Sequence, residues 1–231
     1  MGSARLLVVA AVAIAMGCTP AAPTSVRDQT QRFSDIIELA APQQSGPVPL
    51  EQVLTERRSA REFSAAELGL STIGQLLWAG QGITDDANHR TAPSAGATYP
   101  IELYALTATT FMHYLPAGHR IEQRPDTRTL GLLAAAAFEQ GFVNDAPTVL
   151  VVTGVRSRTA AEYGAVADDL MNREAGHVAQ NMLLQATALS LAAVPVGGFD
   201  PAEVGRLLAL PSGEQVLYLL PVGHPPNADA E

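Results

Sequence analysis

The sequence predicts an α/β or α+β domain in which a central sheet is covered by helices, and three segments carry that expectation. TVLVVTG, residues 148–154, and VLYLLPVG, residues 216–223, are apolar runs without polar alternation, the pattern of strands buried on both faces. Between them Ala175, Val178, Ala179, Met182, Leu183, Ala186 and Leu189 keep a 3.6-residue spacing, so residues 174–191 form a helix with one apolar face.

The remaining elements follow from local signals. Leu50 to Arg57 reads as a helix, and Ser71 to Trp78 as a second one, opened by a Ser-Thr cap before Ile73, Leu76 and Leu77. Ile101 to Thr107 reads as a strand, and FMHYLPAGHRIEQ as a hairpin that turns at Pro116 to Gly118. Asp200 can cap a turn that begins at Pro201. Upstream, Phe33 to Ala40 is a short amphipathic piece, and the prolines of PQQSGPVP disfavour helix across residues 42–49. The folded domain is therefore expected over residues 50–225, after a tether over 18–49 and before a tail over 226–231.

The first residues have a different character. Arg5 precedes an uncharged run from Leu6 to Ala15, too short for a bilayer span and suited to the hydrophobic region of an export signal over residues 1–17. Ala15-Met16-Gly17-Cys18 resembles a bacterial lipobox, which makes Cys18 the expected lipidation site and predicts an exported, membrane-anchored or periplasmic protein.

Composition then narrows the chemistry. Cys18 is the only cysteine, so the domain has no disulfide, thiolate zinc site or catalytic thiol, and the absence of lysine excludes Schiff-base catalysis. The five histidines show no metal-ligand spacing, so no metal is expected. A net charge of -9 argues against a nucleic-acid partner, which would need a broad basic surface. Against that acidic background RRSAREF, residues 57–63, concentrates Arg57, Arg58, Ser59 and Arg61, a set of guanidinium forks and a hydroxyl suited to a small anion such as phosphate.

Two further segments are candidates. APSAGATYP contains Pro93, Ser94 and Ala95 in a small-residue loop that can lie against a flat ligand. Its Ala-x-Ser-x-Gly pattern overlaps a hydrolase nucleophile elbow, but a polar, proline-ended segment precedes the serine and a strand follows, the wrong context for an elbow. In AVPVGGFDP, Gly197 and Gly198 remove side chains where the backbone turns or approaches something closely.

Taken in order, RRSAREF, LLWAGQGIT, RTAPSAGATYPIELY, EAGHVAQNMLLQATALSLAAVPVGGFD and LYLLPVGHP resemble the nitroreductase-like flavoprotein superfamily, and most closely its SagB/ThcOx-type dehydrogenase branch. The resemblance implies a mostly antiparallel sheet flanked by helices, a homodimer, and an FMN-dependent oxidoreductase working by two-electron ping-pong chemistry on a small molecule, with NAD(P)H a candidate donor. It implies that Arg57, Arg58, Ser59 and Arg61 hold the FMN phosphate and ribityl chain. Pro93, Ser94 and Ala95 would come from the partner subunit, and Gly197 and Gly198 would lie beside flavin N5 and O4. Related enzymes commonly carry an Arg or Lys after Gly-His-Pro that reaches the phosphate; here PNADAE follows, so that contact is missing or replaced. Azoline-oxidising members use a lysine, so azole formation is not supported here. Two classes remain, an FMN-dependent oxidoreductase and an exported flavin- or ligand-binding lipoprotein without turnover.

If the lipobox reading holds, mass spectrometry of the mature N-terminus finds an acylated Cys18. An unmodified terminus at another residue rejects it.

Overall fold

A computed structural model describes residues 33–226, so the expected export signal over residues 1–17 and Cys18 lie outside the described residues. Its centre is a seven-stranded sheet in the order β1-β4-β3-β2-β5-β7-β6, formed by β1 (Asp35–Glu38), β2 (Ile101–Thr107), β3 (Thr110–Leu115), β4 (Arg120–Pro125), β5 (Thr148–Val155), β6 (Ala192–Ala193) and β7 (Glu214–Gly223). Every neighbouring pair is antiparallel.

The lack of alternation in β5 has a direct cause. Leu150 and Val152 point into a core shared with helices α2 (Leu70–Gln81) and α6 (Ala167–Ala188). Val149 and Val151 point to the opposite side, against α3 (Leu130–Ala136), α4 (Phe142–Asp145) and α7 (Pro201–Leu207). With helices on both faces, successive strand residues are all apolar although the sheet is antiparallel. α6 buries Met171, Ala175, Val178, Ala179, Met182, Leu183 and Ala186, the spaced face read from the sequence. The helix begins seven residues before the expected 174, because Ala167 to Arg173 continue it with Asp168 and Asp169 favourably placed in the first turn. It ends at Ala188, where Ser190 takes a left-handed φ of 56°.

Two sequence expectations are corrected. Residues 33–49 are not simply tether: β1 pairs with β4 in the register Ile37↔Ile121, and the Gln75 side chain bonds the Gln43 N–H and C=O at 2.8 and 3.0 Å. Hydrogen bonding to an open sheet edge overrides the weak local signal of this segment. The Ser-Thr cap also fails, since Gly69 occupies the N-cap of α2 and no side chain caps that end. At α7 the expected cap is present, with Asp200 accepting from the N–H groups of Ala202 and Glu203 at 2.9 and 3.0 Å.

A polar ladder crosses the sheet. His113 bonds Glu102 through Nε2 at 2.9 Å and Glu122 through Nδ1 at 2.8 Å, and its ring stacks on Tyr104 at 4.5 Å. Arg158, on α5 (Arg156–Tyr163), pairs with Glu102; on the far side Glu214 accepts from Thr153 and Tyr104, and Arg90 acts on Glu102 from the preceding loop. Burial opposes charge on His113, but its two carboxylate bonds outweigh burial and raise its pKa. Burial also works against ionised Glu102, yet His113 and Arg158 hold it below the usual carboxylate value. Glu214 is raised, chiefly by burial.

The signs then define a window. A raised His113 stabilises the fold fully below its unfolded value of about 6.5 and loses that contribution as pH rises through the folded value. The depressed Glu102 contributes above its unfolded value of about 4.3 and loses its share as pH falls. Raised Glu214 contributes fully below its unfolded value of about 4.3 and loses its share as pH rises above that. Thermal stability therefore falls as pH rises above about 6.5, and His113→Gln flattens that slope. A parallel slope in the variant would remove His113 as the cause.

Candidate active site

The arginine segment leaves the end of α1 (Leu50–Glu56) in extended backbone and runs beside the sheet edge. The N–H of Ala60 bonds Ala193 O on β6 at 3.0 Å, and the N–H of Ser64 bonds His224 O at 2.9 Å. Those two bonds draw residues 57–64 alongside the strand that leads to Gly197 and Gly198. Arg57 is half-buried, while Arg58, Ser59 and Arg61 are exposed.

The three guanidinium groups have different surroundings. Arg58 Nη1 donates to Thr55 O and Arg57 O at 2.7 and 2.9 Å, covering carbonyls at the negative end of α1. Arg61 lies over the Phe142 ring, 5.5 Å from its centroid. Gln140, two residues earlier, donates through Nε2 to Gly198 O at 2.8 Å and to Ala137 O at 2.7 Å. The α3–α4 connection thus links Arg61 to the Gly-Gly turn. Gln140 and Phe142 escaped the sequence reading because AAAAFEQGF carries no recognisable motif.

The glycines themselves are informative. Both are exposed, neither has a positive φ, and an added Cβ would meet nothing nearer than Tyr218 at 3.9 Å for Gly197 or Gln140 at 3.8 Å for Gly198. Neither internal crowding nor left-handed backbone requires glycine here. Among the described residues their N–H groups have no backbone acceptor. The turn therefore offers close backbone approach and donors to a group outside the chain, beside a cationic loop, which fits a flat ligand carrying phosphate.

The Ser94 loop lies elsewhere, tied to α6. Ser94 Oγ accepts from the Tyr99 N–H at 2.9 Å and also hydrogen-bonds the Glu174 carboxylate, while Gln81 Nε2 reaches Glu174 Oε1 at 3.4 Å. Glu174 is buried, and burial raises its pKa against the opposing effects of Ser94, Gln81 and Arg90. Ser94 is therefore an anchor of the loop, and its extended backbone before a single 3-10 turn is not that of a nucleophile elbow. Its neighbours Pro93 and Ala95 remain exposed and half-buried. Asn181 Nδ2 holds the start of the loop through Thr91 O at 3.0 Å.

These contacts place the Ser94 loop and the arginine segment at different points along α6. Ser94 is tied to Glu174 near the N-terminal end of α6, whereas the arginine segment is tied to Ala193, beyond its C-terminal end. From residue 174 to 188 the helix axis alone spans roughly 20 Å at 1.5 Å per residue. One chain brings Arg61 and Gly198 together and keeps Ser94 away from both. Among the described residues no cluster of His, Cys, Asp or Glu could hold a metal ion.

The fold is an antiparallel α+β one, and its sheet edge carries arginines beside backbone N–H groups that have no backbone acceptor among the described residues. The nitroreductase family model matches residues 54–224, and the chain belongs to that family. A Methanocaldococcus jannaschii protein named as a nitroreductase is 38% identical over 182 residues, covering 76% of this chain and 91% of the relative. A Streptomyces coelicolor protein named NADH dehydrogenase/NAD(P)H nitroreductase is 28% identical over 80% of this chain and 91% of its own. Among solved structures, a Ralstonia eutropha protein titled as a nitroreductase superposes with a TM-score of 0.74 at 26% identity, over 85% of this chain and 91% of that one. Members of the family are flavin-dependent oxidoreductases, and this chain is an oxidoreductase of that kind.

One glycine in the Ser94 loop is demanded by the chain itself. Gly96 has φ 58°, and a Cβ there would lie 2.5 Å from Glu162 Oε2 and 2.7 Å from the Tyr163 hydroxyl. Gly96→Ala should destabilise the fold by about 1 to 3 kcal/mol from backbone strain and crowding. Urea unfolding measures it, and an unchanged midpoint would mean that the loop relaxes freely.

Proposed function

We propose that this protein is an FMN-dependent oxidoreductase of the SagB-type branch, transferring two electrons at a time from a donor such as NAD(P)H to a small organic acceptor. The observation that carries the reading is the convergence of Arg57, Arg61 and the Gly197–Gly198 turn on one sheet edge, within a chain of the nitroreductase family. Five sequence segments in family order support the branch, and the name of the Streptomyces relative supports the donor.

The chain's own residues have distinct tasks in this reading. Arg57, Ser59 and Arg61 bind the phosphate and ribityl chain, and Arg58 contributes while bracing the end of α1. The N–H groups of Gly197 and Gly198 orient the ring edge and stabilise negative charge that develops on it. Gln140 holds the turn in place through Gly198 O. The flavin supplies the hydride chemistry, and the protein supplies orientation and electrostatics.

The separation along α6 supports a site completed by a second copy, in which Pro93, Ser94 and Ala95 of one subunit lie over the flavin held by the other. α1 supplies a matching feature: Leu50 and Leu54 are 59% and 54% exposed one helical turn apart, immediately before the arginines. Beside them a hollow of about 370 Å³ is lined by Val53, Trp78, Leu184, Ala188 and Leu189. An apolar surface of this kind suits a two-fold interface. Export and anchoring through Cys18 complete the proposal.

Titration with FMN should quench its fluorescence, and Arg61→Ala should weaken binding by about 1.5 to 3 kcal/mol for a lost charge-assisted bond. Failure to bind any flavin sinks the reading. Arg61→Ala and a bulky Ala95→Trp should each be impaired alone, yet mixed dimers should recover about one intact site of two. No recovery after subunit exchange, or a monomer with bound FMN, would reject the shared site.

A further inference from the structure

RRSAREF is a cluster of arginines along the sequence; a second cluster is assembled only by folding. Arg90 precedes the Ser94 loop, Arg120 opens β4, and Arg158 lies in the first turns of α5. All three line a groove of about 610 Å³ together with Tyr99, His113 and the Leu115–Pro116–Ala117 turn. Among the described residues Glu102 is the only carboxylate in the lining. It already faces His113 at 2.9 Å and the Arg158 guanidinium. Three guanidinium groups thus stand against one carboxylate in a protein whose net charge is -9.

Each arginine is positioned without being used up. Arg90 Nη1 donates to Gln81 Oε1 at 2.8 Å, and its guanidinium lies 4.2 Å from the Tyr99 ring centroid. Arg158 Nη1 donates to Tyr99 O at 2.9 Å, and Arg120 Nε to Ala117 O at 3.3 Å. A guanidinium has five N–H donors, more than these bonds engage. Burial pulls the Arg90 pKa down, and the neighbouring Arg158 acts in the same direction, as expected where like charges are held together. Tyr99, the residue all this surrounds, is held at a φ of 44°, strained for an aromatic side chain. Bonds from Ser94 and Arg158 fix its backbone on both sides.

We infer that this groove is an oxyanion site, in which Arg120 and Arg158, with Arg90 behind them, take the phosphate or carboxylate of a small organic molecule whose apolar part rests on Leu115 to Ala117. Phosphate and carboxylate each present a pair of oxygens that the planar guanidinium fork can take bidentately, and a concave positive patch concentrates anions. Tyr99 joins the groove to the Ser94 loop, so a bound anion lies next to the segment that covers the partner's flavin. That placement rests on the proposed oxidoreductase reading and makes the groove the anchoring point for a charged donor or acceptor. The groove itself does not depend on flavin.

Calorimetric titration of the full chain with ADP and, separately, with benzoate tests the site at physiological salt. The expected result is binding of at least one probe, weakened about tenfold or more in Arg120→Gln and Arg158→Ala, the loss of one charge-assisted bond, with FMN affinity unchanged. Preference for ADP assigns the site to a nucleotide phosphate, and preference for benzoate to a carboxylate. Arg120→Gln removes only a bond within its own turn, so its fold, checked by circular dichroism, should be intact. Absence of binding by either probe, or equal binding in wild type and both variants, overturns the inference. Lost FMN binding with retained anion binding would instead overturn the flavin reading alone.

Discussion

The packing of α6 against the sheet is the constraint on which the rest of the structure depends. Its 22 residues extend about 33 Å, and the buried stripe from Met171 to Ala186 holds the helix across β2, β5 and β7. A packed helix is stiff at this length, so whatever is tied to its two ends stays apart. Glu174 and Asn181 tie down the Ser94 loop, while the chain beyond Ala188 turns directly into β6 and the glycines. The Ser94 loop and the glycine turn stay apart because the packed helix that supports both holds them at different points along its length.

The same packing explains why polar groups can sit inside so apolar a domain. The ladder from Glu122 through His113 and Glu102 to Arg158 alternates sign, so each buried charge faces an opposite one. A buried carboxylate left alone would be strongly disfavoured. Glu174 is treated differently: it is surrounded by Ser94, Gln81 and the more distant Arg90, and burial wins, raising its pKa. One network is ionic and spans the sheet, the other is held mainly by neutral hydrogen bonds and shapes a loop.

In this lysine-free chain the arginines discussed above are put to different uses. At Arg58 it covers the carbonyls of a helix end; at Arg61 it rests on an aromatic ring beside an open turn; at Arg90, Arg120 and Arg158 it lines a groove. Residue type alone does not separate these uses. The neighbours do, because a guanidinium's donors are divided between the chain and whatever approaches it.

The sequence by itself determined the covered sheet, since unbroken apolar runs at 148–154 and 216–223 fit strands buried on both sides, and it determined α6, whose spacing survives any reading of the termini. It also marked Arg57 to Arg61 and Gly197–Gly198, because charge concentration and missing side chains are visible without coordinates. β1 was not legible, because an edge strand is chosen by the hydrogen-bonding groups of β4 rather than by its own residues. Nor was the start of α6, where Ala167 to Arg173 lack the apolar stripe and take helix from the turns that follow. Gln140 and Phe142 gained their meaning only when the α3–α4 connection was laid beside Gly198 and Arg61. The arginine groove was invisible for the same reason: residues 90, 120 and 158 come from a loop, a strand and a helix, and only antiparallel pairing of β2, β3 and β4 with α5 at their edge brings their charges into one place.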